Sequence, residues 1–107
     1  MSAIKMIGSD NFFGMLLNEN ITGVVKFSAP WCGPCLLLKE VIERIAENNP
    51  GIDFFTCNTD ENQDIITKLG VTSIPTLIFY KNGKEIERRK GNIPEPQIIE
   101  VIEKKLL

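Results

Sequence analysis

Histidine is absent from this sequence of 107 residues, and tryptophan and tyrosine occur once each. No imidazole is therefore available for acid–base catalysis or metal binding. Cysteine is scarce too. Three cysteines are one short of a four-cysteine zinc site. An odd number also prevents full pairing within the chain. No apolar run approaches a membrane span. The stretch from Met1 to Ile7 leads into no export-type apolar segment, so a cytoplasmic location is expected. Neither sign of charge dominates: 12 basic residues face 14 acidic ones. Arg88, Arg89 and Lys90 form the richest basic run, which reads as a solvated strand edge. Neither a nucleic-acid nor a membrane partner is expected.

What is present suits an ordinary folded protein. The apolar fraction is 43% and the charged fraction 24%, enough for one core and a single domain over residues 1–107. A short strand is expected over residues 3–7. A helix should follow, capped by Ser9 or Asp10, with Phe12, Phe13, Leu16 and Leu17 on one face. Residues 21–28 read as a strand through Val24, Val25 and Phe27. From Cys35 the period becomes helical, with Leu38, Val41, Ile42, Ile45 and Ala46 on one stripe. A third strand is expected over 52–57. A helix over 60–69, with Ile65, Ile66 and Leu69 inward, should be closed by Gly70. Leu77 to Tyr80 and Glu85 to Lys90 read as a hairpin around Asn82-Gly83, the second strand alternating as a sheet edge. A last helix starts at Pro94 and Pro96 and buries Ile98, Ile99, Ile102 and Leu106. Lys104 and Lys105 would complement its end. The order β-α-β-α-β-α-β-β-α calls for a sheet covered by helices on both faces.

The chemistry concentrates in Trp31-Cys32-Gly33-Pro34-Cys35, between a strand and an amphipathic helix. Two cysteines three apart at a helix start can close a small disulfide ring. The first can sit where unpaired backbone N–H groups favour a thiolate. Cys32, at the exposed end, is the nucleophile candidate, and Cys35 on the helix side the resolving thiol. Taken alone, the spacing also permits two ligands of an intermolecular metal site, or inert thiols.

These residues resemble the thioredoxin family. The string from Trp31 to Cys35 matches its signature. Phe27, Ala29, the segment Ile74-Pro75-Thr76, Gly83 and Gly91 also fall where family members have them, so the likeness spans nearly the whole chain. The resemblance implies an α/β thioredoxin fold: a central five-stranded mixed sheet of order 1-3-2-4-5 flanked by four helices. It implies a cis Ile74–Pro75 bond and a substrate surface made of Trp31, Ile74, Pro75, Gly91 and Leu36, supported by Gly33 and Pro34. Of the three consecutive leucines, Leu36 is expected to be the exposed one. The implied activity is protein-disulfide reduction by a monomer with no bound cofactor beyond the redox-active disulfide Cys32–Cys35. Its electrons would come from a thioredoxin reductase, an NADPH-dependent flavoprotein.

Three positions depart from the family pattern or stand outside the motif. Lys26 stands where relatives commonly have a buried aspartate below Cys35. It either snorkels to water or approaches Cys35, where a cation would favour the thiolate and a neutral amine would accept its proton. Leu36 and Thr56 stand where relatives often carry basic residues. Cys57, inside the third strand, reads as a small core residue. Two alternatives accompany the reductase: an oxidant or isomerase of higher potential, and a thioredoxin-like binding subunit.

Overall fold

The computed structural model describes residues 4–12, 14 and 21–107. The strands are β1 (Ile4–Met6), β2 (Gly23–Ser28), β3 (Asp53–Asn58), β4 (Thr76–Lys81) and β5 (Lys84–Lys90). They form one sheet in the order β1-β3-β2-β4-β5. β3 runs parallel to β1 and β2, whereas β4 is antiparallel to β2 and β5. Three α-helices are described with their bounds: α1 (Gly33–Asn48), α2 (Gln63–Leu69) and α3 (Glu95–Val101), the last continued by a π-helical segment, Ile102–Leu106. None of them is long and apolar enough to cross a membrane.

The central strands β2 and β4 are buried almost end to end, as strands covered on both faces must be. Their side chains alternate between two cores. Val24, Leu77 and Phe79 join Leu38, Ile42 and Ile45 of α1 and Ile98 of α3. Val25, Phe27, Ile78 and Tyr80 join Phe12, Cys57 and Ile65. The sheet and both helical stripes thus appear as the periodicity demands. The expected first helix falls mostly outside the described residues, including Phe13, Leu16 and Leu17. Phe12 is fully buried.

Several local expectations are corrected. Ser9 bonds across the fold: its N–H donates to Asn62 Oδ1 over 2.9 Å and its hydroxyl donates to Asp64. The helix expected over 60–69 is split into a 3₁₀ turn, Thr59–Glu61, and α2. At the break, Asn62 Nδ2 donates to the Asn58 carbonyl over 2.8 Å, satisfying the end of β3 instead of continuing a helix. Gly70 closes α2 as expected, with φ of 66°. β5 shows no clean alternation: a bulge opposite Phe79 and Tyr80 shifts its register. Its charges pair sideways instead, Arg88 with Glu85 at 2.8 Å and Arg89 with Glu87 at 2.7 Å. Lys105 reaches Glu87 at 2.6 Å, and together with Lys104 it stands in the last turn of the terminal helical segment Ile102–Leu106, as expected. The hairpin turn is as expected, with Asn82 and Gly83 at φ of 53° and 79°.

Candidate active site

Antiparallel pairing sets Phe27 of β2 opposite Thr76 of β4. The register therefore brings the segment after β2, which carries the two cysteines, to the same end of the sheet as the segment before β4, which carries Ile74 and Pro75. The Ile74–Pro75 bond is cis, as the resemblance implied. Thr76 Oγ1 donates to the Ser73 carbonyl over 2.7 Å and closes this loop. Gly91 N–H donates to the Pro75 carbonyl over 2.9 Å. Its φ of 79° suits a residue without a Cβ. Pro75, Ile74 and Gly91 thus form one connected patch.

Cys32 is the N-cap of α1, and Pro34 stands in its first turn, where a missing N–H costs nothing. Cys35 N–H donates to Cys32 Sγ over 3.2 Å. The two cysteines are joined as a disulfide, with Cα atoms 5.3 Å apart. No acidic residue occupies the first turn of α1, so nothing there opposes the positive end of the helix. When the bond is reduced, the same N–H and dipole favour Cys32 as the thiolate. Exposure does not separate the thiols as expected. Cys32 is 5% exposed and Cys35 3%. Position at the N-cap, not accessibility, distinguishes them.

Around the disulfide the surface is apolar and open. Trp31 is 71% exposed and Leu36 57%. Leu37 is exposed as well, which corrects the expectation of a single exposed leucine, because only Leu38 of the three faces the core. The Trp31 indole N–H donates to Asp60 Oδ2 over 2.8 Å. Asp60 was not legible as a site residue: it lies 29 positions away, and no spacing rule connects it to the motif.

Lys26 buries its stem, and its ammonium reaches the open cleft beneath α1. The stem lies on the face of β2 that looks toward α1, and the residue lines the cleft together with Cys35, Leu36, Lys39 and Glu43. Burial and then Lys39 lower its pKa, while Glu43 raises it. Among the described residues Lys26 has no hydrogen bond or ion pair. The ammonium is partly desolvated at the cleft wall and has no ion partner among those residues, which costs stability. Lys26→Met is therefore expected to raise the stability of the oxidised protein by about 0.5–2 kcal/mol, read by urea unfolding. A loss of stability would show that the cation has a stabilising partner.

Cys57 is fully buried and free. Burial, with a smaller contribution from Asp64, pushes its thiol up to about 11 from 9.0. The sign follows directly. The unfolded thiol ionises first, so the native state holds the extra proton and stability falls as pH rises through this window. The oxidised protein is expected to lose on the order of 2–3 kcal/mol relative to Cys57→Ala between about pH 9 and 11. Parallel stability–pH curves for the two proteins would rule out this burial. Among the described residues no cluster of three or more metal-ligating side chains occurs.

The sequence comparisons agree with this geometry. A family model described as thioredoxin matches residues 3–104. "Thioredoxin 1" of a Nostoc species is 35% identical over 99% of this chain and 100% of its own length. The thioredoxin of a Synechocystis species is 33% identical, over 99% of this chain and 100% of its own. Among solved structures, the thioredoxin NaTrxh of Nicotiana alata superposes with a TM-score of 0.90 at 29% identity, covering 99% of this chain and 95% of that one. Thioredoxin O2 of Arabidopsis thaliana, in its oxidised state, gives a TM-score of 0.85 at 27% identity over 99% and 96% of the two chains. A vicinal cysteine pair capping a helix, on this sheet and in this company, carries out thiol–disulfide exchange, and the chain belongs to the thioredoxin family.

Proposed function

We propose that the protein reduces disulfides of other proteins, with Cys32 as nucleophile and Cys35 as resolving thiol. The observation that carries this reading is the placement of Cys32 as N-cap of α1 with its sulfur bonded to the Cys35 N–H. The Cys32 thiolate attacks one sulfur of a partner disulfide. A mixed disulfide forms, and the partner's other sulfur leaves as a thiolate and takes up a proton. Cys35 then loses its proton and attacks Cys32 Sγ. The Cys32–Cys35 bond forms, the mixed disulfide breaks, and the partner departs with its second thiol. Two electrons have moved from this chain to the partner.

Trp31, Leu36, Ile74, Pro75 and Gly91 form the surface that receives the partner. The first two are exposed; at the same end of the sheet Ile74 and Gly91 are half-buried and Pro75 is buried. An extended partner segment can pair there with backbone of Ile74. Gly33 and Pro34 hold the turn between the sulfurs, and Lys26 supports the site from beneath α1. The chain works as one domain and as a monomer in a reducing, cytoplasmic setting, in which Cys57 stays a thiol. A flavoprotein thioredoxin reductase fed by NADPH returns the electrons. The family membership supports that choice of donor.

Equilibration with dithiothreitol and glutathione buffers tests the direction of electron flow. A potential near about −270 mV is expected for a reductase. One observation favours a second reading. A lysine cation in the same cleft as Cys35 stabilises a reduced thiolate and so raises the potential. A value near about −120 mV would make the protein an oxidant instead.

A further inference from the structure

Beneath the N-terminal half of α1 lies a cleft of about 440 Å³, walled by β1, β2, β3 and the helix. Its polar groups exceed what two cysteines use. Lys26 on its floor is only 5% exposed and has no counter-ion among the described residues. The hydroxyls of Ser28 and Thr56, in the same lining, also have no side-chain hydrogen bond among the described residues. Lys39 adds a second cation at the exposed rim. The opposing charge in the lining is Glu43, which forms an ion pair with neither lysine. Asn58 is already engaged, accepting from Asp60 N–H and donating to Glu61. The remaining wall includes Ile4, Met6 and Leu36.

We infer that this cleft binds a small monocarboxylate with an apolar body, held by the Lys26 ammonium and the Ser28 and Thr56 hydroxyls, with its body against Ile4, Met6 and Leu36. An incoming carboxylate supplies the counter-charge that the partly desolvated ammonium lacks, in surroundings where a charge-assisted hydrogen bond is strong. Two lysines against one glutamate leave a single net positive charge, so a monoanion is matched and a dianion is not. Burial and Lys39 lower the Lys26 pKa in the empty cleft, a penalty that a bound carboxylate relieves. The carboxylate has two sources: a free small acid, or an acidic side chain of the disulfide partner, because Cys35 and Leu36 form part of the wall. Only the second source rests on the reductase reading.

Benzoate is the probe, with neutral benzamide as its isostere. The oxidised protein is titrated with each while amide resonances of Ser28, Leu36, Lys39 and Thr56 are followed by NMR. No turnover is involved, so the result is independent of electron-transfer direction. Saturable shifts with benzoate are expected, with benzamide about tenfold weaker. Lys26→Met should remove that preference. If it folds poorly, two surface variants still decide: Glu43→Gln should tighten benzoate by about two- to threefold and Lys39→Gln should weaken it by a similar factor. Equal binding of benzamide, no saturable shift, or a Glu43→Gln variant that binds more weakly would overturn the inference. The source is settled by reduction rates of two disulfide peptides that differ by Glu or Gln beside the attacked cysteine. Faster reduction of the Glu peptide, erased by benzoate, assigns the cleft to the partner's side chain. Equal rates assign it to a free acid.

Discussion

Cys35→Ser is expected to lower the rate of insulin reduction by at least about a thousandfold while accumulating a covalent complex with the disulfide partner. The reason is the division of labour between the sulfurs. Cys32 caps α1 and takes its hydrogen bond from the Cys35 backbone N–H. A serine side chain at position 35 leaves that N–H in place, so the first attack survives. The mixed disulfide then has no internal thiol to resolve it. Cys32→Ser removes the attacking sulfur and should lose turnover to the same extent without trapping a complex. Non-reducing electrophoresis and mass spectrometry of the two variants check this. A stable complex with Cys32→Ser and none with Cys35→Ser would reverse the roles. A reduced partner that is resolved at wild-type rate by Cys35→Ser would sink the two-cysteine cycle.

The second large effect is on stability. Phe27→Ala is expected to cost about 3–5 kcal/mol, the range for truncating a buried aromatic. Phe27 is fully buried and packs its ring 6.1 Å from that of Phe12, tilted by 51°. It also sits in the centre of the sheet, opposite Cys57 of β3 and Thr76 of β4. A cavity there has strand backbone on both sides and little freedom to collapse. In a domain of this size the melting temperature should fall by more than about 12 °C. Denaturant unfolding of the oxidised protein gives the energy directly. A change below about 1 kcal/mol would mean that the residue is not part of a close-packed core. The two predictions separate cleanly: the cysteine variants should keep a folded reduced protein, whereas Phe27→Ala threatens the frame that aims the motif.

The two substitutions also differ in how far ahead of the structure they were visible. The motif was fully legible, since a strand former run, a Gly-Pro insert between two cysteines and a helical stripe are local signals. Helix boundaries were less so. The stretch from Asp60 to Leu69 has helical periodicity, yet its first turn goes to a separate 3₁₀ segment because Asn62 bonds back to Asn58. Periodicity cannot register a competing side-chain bond to the end of a strand. The same limit applied to Ser9, whose partners Asn62 and Asp64 lie more than fifty positions away.

From its residues alone this chain determined its layer order, its two apolar faces, the hairpin at Asn82-Gly83 and the chemistry at Cys32 and Cys35. Each depends on neighbours a few positions apart, where side-chain period and backbone preference act directly. Only the tertiary structure decided what surrounds that chemistry. It tied Trp31 to Asp60, linked Gly91 to the Pro75 carbonyl, buried both sulfurs alike, and placed Lys26 without a counter-ion in one cleft with Cys35, Lys39 and Glu43. These outcomes depend on strand register and on how α1 crosses the sheet, and such long-range geometry leaves no periodic trace in the sequence.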